Sequence, residues 1–520
     1  MKKYVLFVSF LSVILYLTAC QISASDVDAD SDSSASFTED SMDYVWNSSD
    51  VVNVQLNTTS ATSDGVGVSI SGTAITISKA GTYKFTGTLT GGQILVNSED
   101  AGVVRLLLNG VTISNSSSAP IFVKKAAKAV VNLVDGTVNT LTDASKYVYG
   151  GSDTEPNAAV FSNTNLVIFG AGSLTVKGNY ADGISSDDGL LIKSGTISVT
   201  AVDDAIRGKD YLVIEDGTIA AAASTGHGLK SDNEDSGTGY VLVAGGTITS
   251  TSTSADAIHG KNNVYIKGGT MTLTATSSQG LKGGTTVEIS GGKINVLNSH
   301  EGIESAKIVV SGGVTILNAL NDAINATCGT VNGGSESNDG SYFYMKGGVL
   351  VANGSDAVDS NGNIEVSGGY LIANGPQTGV EEGIDCNGTF NINGGLVISS
   401  GSSSQMTKAM STSSSQPGMF IKSSSALSSS SLLHIENAVG TDVITVKLKN
   451  GGYYFHASSG LMTKGASYKI YFGGLYSGGS FIGETTGYGL YTGGTYSTSG
   501  ATLKSTPTLS TSNTVNTISL

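Results

Sequence analysis

Two stretches of the sequence repeat one order of residues: an acid, a small residue, an aliphatic residue and then a base. They read "DDAIRGK" at residues 203–209 and "ADAIHGK" at residues 255–261. Bases that recur in this way predict a row of positive charge, which attracts an anionic chain. A linear acidic polysaccharide fits such a row because its own charges repeat at regular distances. The candidate carbohydrate-binding residues are Arg207, Lys209, Lys230, His259, Lys261 and Lys282.

The acids that accompany these bases support a second interpretation of the row. Aspartates lie beside the bases or in the neighbouring repeat, and such pairs can form a solvated surface of mixed charge that binds no ligand. The aspartates concerned are Asp204, Asp210, Asp232 and Asp256. The residue types alone leave both interpretations open.

Carboxylates in this region also predict a calcium site, because calcium takes six to eight oxygen ligands. The candidate ligands fall on three successive repeats near one turn, and they are Asp182, Asp187, Asp188, Asp203, Asp204, Asp210 and Asp232. A second acidic group follows, made up of Glu301, Glu304, Asp322, Asp356, Asp359, Glu382 and Asp385. Neither group has the spacing of a specific calcium motif, so the number of ions stays open.

A repeated coil explains how residues so far apart in the chain meet. Alignment on acid, small residue and aliphatic residue gives a period of about 22 residues, lengthened where polar inserts occur. Each period holds three short alternating runs, which cannot bury both faces alone and must stack. The sequence therefore predicts an all-β solenoid, a parallel β-helix with three strands per coil. The aligned column is Asp182, Asp204, His227, Asp256, Gln279, Glu301, Asp322, Asp356 and Glu382.

Alternation along the strand predicts which side chains face outward. If the aliphatic residue of each coil points inward, the residue after it points outward. The outward column is then basic in its first half and acidic in its second half. Its members are Ser185, Arg207, Lys230, His259, Lys282, Glu304, Asn325, Asp359 and Asp385.

The segments "YADGISSDDGLLIKSGTISV", "DDAIRGKDYLVIEDGTI" and "GHGLKSDNEDSGTGYVLVAGGTI" resemble a family of bacterial carbohydrate-binding β-helix proteins whose members bind polygalacturonate and cellulose-type material. The likeness extends over roughly residues 51–496. It implies a right-handed parallel β-helix, bound calcium, and binding without catalysis. His227 and Gln279 depart from the usual acid, and Arg207 and His259 stand where lysine is more typical.

An enzyme is the main alternative. Asp182, the pair 203–204, the "GHG" around His227 and the "HGK" ending at Lys261 are similar in order to the polygalacturonase family of glycoside hydrolases. That resemblance implies a general acid at Asp203 or Asp204, a second carboxylate that activates water, and Lys261 on the uronate.

The match to that family is incomplete, because "YAD" lacks the family's amide residue and His259 replaces its arginine. A calcium-dependent lyase with Arg207 as its base is a further alternative. The last is a structural adhesin shaft that has no affinity for soluble glycans.

The N-terminus predicts a lipid anchor. Lys2 and Lys3 precede an apolar run that ends in "LTAC" at Cys20, which is typical of a lipoprotein signal peptide. We expect a cell-envelope protein, anchored through lipidated Cys20 and exposed at the cell surface. The net charge of −15 makes nucleic acid an unsuitable partner, and we expect a monomer.

Composition divides the chain into six segments. They are a signal peptide (1–20), a Ser/Asp-rich tether (21–43), N-terminal capping coils (44–145), the regular β-helix (146–400), a Ser-rich linker (401–431), and a Tyr/Gly-rich β segment with a tail (432–520).

Overall fold

The computed structural model describes residues 39–63, 65–149, 156–329, 337–404, 407–429, 431–483 and 487–520. This part of the chain is almost entirely β-strand, and its helical elements are 3₁₀ turns at Ser41–Tyr44 and Ser48–Asp50. No helix within it is long and apolar enough to cross a membrane. The predicted signal peptide, Cys20 and most of the tether lie outside the described residues.

Strands of successive coils pair in parallel and form three ladders. The first ladder contains Ala158–Ser162, Asp182–Ser186, Ile206–Gly208, Leu229–Ser231, Ile258–Gly260, the ends of Thr270–Gly283 and Lys293–Ser305, Ile324–Ala326, Val358–Ser360 and Ile384–Cys386. The second contains Leu166–Gly170, Gly189–Ile192, Tyr211–Ile214, Tyr240–Val243, Asn263–Ile266, Thr286–Ile289, Lys307–Val310, Tyr342–Met345, Asn363–Val366 and Phe390–Ile392. The third contains Ser173–Gly178, Thr196–Ala201, Thr218–Ala223, Thr247–Ser252, the starts of Thr270–Gly283 and Lys293–Ser305, Val314–Ala319, Val349–Asn353, Tyr370–Asn374 and Leu396–Ser400. The all-β prediction is confirmed, and the parallel strands are consistent with a β-helix-like fold.

Inward aliphatic side chains form the core of these coils. The predicted aliphatic column lies on the first ladder, and its members are no more than 3% exposed. They are Ile206, Leu229, Ile258, Leu281, Ile303, Ile324, Val358 and Ile384. Doubled glycines make the turn into the third ladder. At Gly246, for example, φ is +86° and an added Cβ would lie 2.7 Å from the carbonyl oxygen of Gly217, so a side chain is excluded there.

The N-terminal segment extends the same ladders. Its strands are Val51–Thr58, Ala61–Ser63, Val68–Ser71, Ala74–Ile77, Gly81–Thr90, Gln93–Asn97, Val103–Ser114, Ile121–Lys125, Lys128–Leu133 and Val138–Thr142. Most of them pair in parallel with the next coil, and two antiparallel pairs stand at the opening. The opening coils are therefore continuous with the regular part.

The Ser-rich segment differs from the predicted linker because it contributes a strand. Gly418–Leu427 pairs with Gly452–Ser459 and with Val515–Ser519, and it buries Met419 and Ile421. The remaining C-terminal strands are Leu432–Asn437, Asp442–Lys447, Tyr468–Phe472, Leu475–Ser477, Ser480–Gly483, Gly489–Thr492, Thr495–Ser497 and Thr502–Ser505. Six of them form one antiparallel sheet. This C-terminal unit shares an apolar cluster with the outward side of the third ladder, so it packs along the coils.

Candidate functional site

The outward column has the predicted register. Ser185 pairs with Arg207, Arg207 with Lys230, and the pairing continues through every rung to Asp385. Side chains up to 200 positions apart in the sequence therefore lie on one flank of the first ladder. The first half of this flank is basic and the second half acidic, as the sequence predicts.

Several acids of the aligned column are almost fully buried. Asp204 is 2% exposed and lies just before the strand Ile206–Gly208. Its Oδ1 accepts the backbone N–H of His227 at 2.8 Å, and Oδ1 of Asp182 accepts that of Asp204 at 3.1 Å. Oδ1 of Asp256 likewise accepts the N–H of Gln279 at 3.0 Å. These carboxylates hold successive coils together, so Asp204 and Asp256 are not the solvated surface acids of the second interpretation.

A polar groove opens over the first three rungs. Its volume is about 440 Å³, and it is lined by Asn157, Phe161, Asp182, Asp187, Asp203, Asp204, Arg207, Lys230 and Asp232. Asn157 was not predicted, because the insert before it breaks the period. It stands one coil below Asp182, and its Nδ2 donates to Oδ2 of Asp182 at 3.0 Å.

The bases of the column are paired with acids. Arg207 donates from Nε to Asp232 at 3.0 Å, and its Nη1 lies 3.4 Å from Asp187. Lys230 donates from Nζ to Oδ2 of Asp204 at 2.8 Å. The row therefore carries less free positive charge than its sequence suggests.

The remaining predicted bases are paired with acids or lie outside the groove lining. Nδ1 of His259 is 2.8 Å from Asp256, and Nζ of Lys282 is 2.9 Å from Glu304. Lys261 pairs with exposed Glu234. Among the described residues, neither Lys261 nor Lys209 lines the groove.

The predicted calcium ligands fall into two sets. Asp182, Asp203 and Asp204 each place a carboxylate oxygen within 4.8 Å of the others, and Asp187 and Asp232 line the same groove. Asp188 and Asp210 do not line it. They lie beyond the strand, where Oδ1 of Asp210 accepts from Asn233 at 2.6 Å and the charge of Asp210 contributes to a raised pKa of Asp188, behind burial.

Crowding of carboxylates shifts their protonation. Burial, followed by the charges of Asp204 and Asp203, raises the pKa of Asp182 to about 7. Burial and Asp204 also raise the pKa of Asp203. A group that is buried among like charges gains from a proton or a cation, so this corner is suited to a divalent ion.

The residues of the hydrolase alternative are not assembled. The oxygens of Asp182, Asp203 and Asp204 approach within 4.8 Å, whereas inverting hydrolysis needs carboxyl groups about 6.5 to 9.5 Å apart. Lys261 lies outside the groove lining, and His227 packs against His259 with ring centroids 4.4 Å apart.

The lyase alternative lacks its base. Burial is the largest single effect and opposes the charge of Arg207, but the hydrogen bond to Asp232 and the charges of the surrounding aspartates together raise its pKa. Arg207 therefore stays protonated and cannot accept a proton from a substrate.

Acids in the second half of the flank and in the aligned column beside it have raised pKa values. Burial, then the charges of Asp322 and Asp385, raises the pKa of Asp359 to about 8, and burial also raises the pKa of Asp322 to about 6. Glu382 is 3% exposed, and burial raises its pKa to about 7. Asp359 therefore stays largely protonated at neutral pH.

Comparison with known proteins decides the family. The model of the carbohydrate-binding domain-containing protein family matches residues 71–336, which is just over half of the chain and includes the whole groove. The chain belongs to this family. Membership supports carbohydrate binding, which is the general form of the predicted function.

Two related proteins cover parts of the chain. A carbohydrate-binding domain-containing protein of Acetivibrio thermocellus is 42% identical over 136 residues, or 26% of this chain and 48% of the relative. The chain thus matches about half the length of that relative. A solved structure described as a polysaccharide lyase-like protein from C. thermocellum, gadolinium derivative, is 30% identical, covers 51% of this chain and 93% of its own, and has a TM-score of 0.39.

Proposed function

We propose that the protein binds an acidic, polygalacturonate-like polysaccharide in the groove, and that calcium bridges the glycan to the protein. The observation that carries this proposal is the convergence of Asp182, Asp203 and Asp204 within 4.8 Å in an open polar groove. Family membership supports the carbohydrate, and the groove chemistry supports its charge and the ion.

The balance of charge in the groove makes calcium necessary for an anionic ligand. Five aspartates line the groove against two cations, and both cations are already paired. A polyanion that approaches this surface alone is repelled. A bound calcium ion turns this repulsion into attraction, because it is positively charged. It takes six to eight oxygens and can share them between the aspartates and the uronate carboxylates of the glycan.

The coils and the N-terminus carry further parts of the proposed function. We propose that the coils form a right-handed parallel β-helix, and that the protein is a monomer attached to the cell envelope and exposed at the cell surface through lipid on Cys20. The Ser/Asp-rich segment after Cys20 would then connect the lipid to the coils.

The test is binding to immobilised polygalacturonate in calcium and in excess chelator. We expect binding in calcium only, and we expect Asp203→Asn to weaken it at least tenfold. Asp210→Asn is the matched control, since it removes the same charge one turn away, outside the groove lining. Equal binding with chelator, or equal loss in both variants, would refute the role of the groove.

The same samples separate the alternatives. New reducing ends would identify a hydrolase, and unsaturated products a lyase. Binding to a neutral cellulose-type glycan without calcium would replace the acidic ligand by a neutral one. No affinity for any soluble glycan would leave the adhesin shaft.

A further inference from the structure

We infer that His227, Asp256 and His259 form a binding site for a first-row transition metal, with zinc as the best candidate. The three residues come from neighbouring coils on the first ladder, one rung beyond the groove. Each offers a ligand atom, and these atoms lie within 4.8 Å of one another. The inference is independent of the proposed calcium ligands, because it uses other residues.

One of the two separations equals that of ligands on a tetrahedral ion, and the other is shorter because it is a hydrogen bond in the metal-free protein. Oδ2 of Asp256 is 2.8 Å from Nδ1 of His259 and 3.4 Å from Nδ1 of His227. Ligands bound to zinc at about 2.0 to 2.2 Å in a tetrahedron are separated by about 3.4 Å. Only small side-chain movements are therefore needed to place an ion between the three.

The donor set selects the class of metal. Two imidazoles and one carboxylate suit zinc, copper or nickel, whereas calcium prefers oxygen ligands. An imidazole binds such a metal in its neutral form.

The two histidines of the site are partly exposed, and the three residues leave one coordination position of a bound ion open. The side chains of His227 and His259 are 19% and 18% exposed, while that of Asp256 is 3% exposed. Three protein ligands leave a fourth position for water or another oxygen ligand, which is the arrangement of open zinc sites. The backbone N–H of Asp256 donates to Nδ1 of His227 at 3.1 Å, so a metal ion must displace this hydrogen bond or bind His227 through Nε2.

The neighbouring rungs supply variants that are suited to the fold. Lysine occupies the position of His259 one rung before and one rung after, at Lys230 and Lys282. Aspartate occupies the position of His227 in the adjacent coils, at Asp204 and Asp256. His259→Lys and His227→Asp therefore replace the imidazoles by side chains that this ladder already accommodates.

The experiment is zinc titration of the chelator-treated full chain by calorimetry, with cobalt as a spectroscopic probe. We expect one zinc ion per chain and cobalt absorption of the intensity typical of four-coordinate sites. His259→Lys and His227→Asp should each weaken zinc at least tenfold. His300→Gln, on an exposed histidine outside the cluster, should leave it unchanged. Millimolar calcium should not displace the metal.

A second measurement does not depend on any variant. In the full chain labelled with ¹⁵N-histidine, zinc should shift the imidazole resonances of two of the five histidines. Three results would each overturn the inference. They are no zinc binding by the folded protein, zinc affinity equal to that of the wild type in both histidine variants, and zinc-induced shifts at other histidines.

Discussion

Replacement of Asp182 by asparagine tests the electrostatics of the groove directly. The carboxyl is 1% exposed, and burial with two neighbouring aspartates raises its pKa from 3.8 to about 7. Asparagine is isosteric, and its oxygen can still accept the N–H of Asp204. Oδ1 of Asn157 has no hydrogen-bond partner within the described part of the chain, so the amide of Asn157 can turn and accept from the new side chain.

The magnitude follows from the two pKa values. Below about pH 4 the carboxyl is protonated in both the folded and the unfolded chain, and it adds no pH dependence there. Between pH 3.8 and about 7 the folded chain keeps a proton that the unfolded chain has lost, so the free energy of unfolding falls as pH rises. About three pKa units correspond to about 4 kcal/mol at pH 8. Asp182→Asn should recover stability of this order.

The assay is chemical denaturation of wild type and variant from pH 4 to pH 8.5 in chelator. The two curves should coincide near pH 4 and separate progressively up to about pH 7, with the variant more stable. Calcium should then stabilise the wild type at pH 8 and have little effect on the variant. Asp187→Asn is the control, since its side chain is 39% exposed and its charge is screened. Parallel curves for wild type and Asp182→Asn at every pH would refute the reasoning.

Three further substitutions test the coils and the acidic flank. Ile258→Ala should lower the free energy of unfolding by about 2 to 5 kcal/mol in a denaturant titration, since the side chain is fully buried. Gly246→Ala should cost more than Gly72→Ala by the same measurement, because both have positive φ but only the first meets backbone of the coil below. Lys282→Gln removes the ion pair with Glu304, so its thermal midpoint at neutral pH should fall below that of the wild type.

The sequence predicted the regular coils well because each repeat solves the same packing problem. The aliphatic column and the outward column could be aligned from spacing alone, and the strand register agrees at every rung. The strand at Gly418–Leu427 could not be found in this way. Its "GMFIKSSSAL" sequence has a short apolar start and then serines, and it is ordered by two partner strands from distant parts of the chain.

The candidate site was predicted in composition but not in arrangement. Arg207 and Lys230 lie in the predicted column, but their pairing with Asp232 and Asp204 depends on side-chain directions that spacing does not give. The burial of Asp204 was not available from the sequence, because it depends on the turn before the strand Ile206–Gly208. The metal-like cluster at Asp256 was available only in part, since the aligned column places His227 and Asp256 on successive coils but does not give the directions of their side chains.

The hydrogen bonds of the aligned column explain why one position can hold an acid in some coils and histidine in another. Its structural task is to accept the backbone N–H of the next coil, which carboxylates do at Asp182 and Asp204. Nδ1 of His227 performs the same task for Asp256 at 3.1 Å. Any acceptor of suitable length therefore keeps the coils together, and the choice among acceptors is left to the chemistry of the flank. The residue types in a column that stacks coils can therefore differ from one coil to the next, and so can the ligand that they suit, without a change of fold.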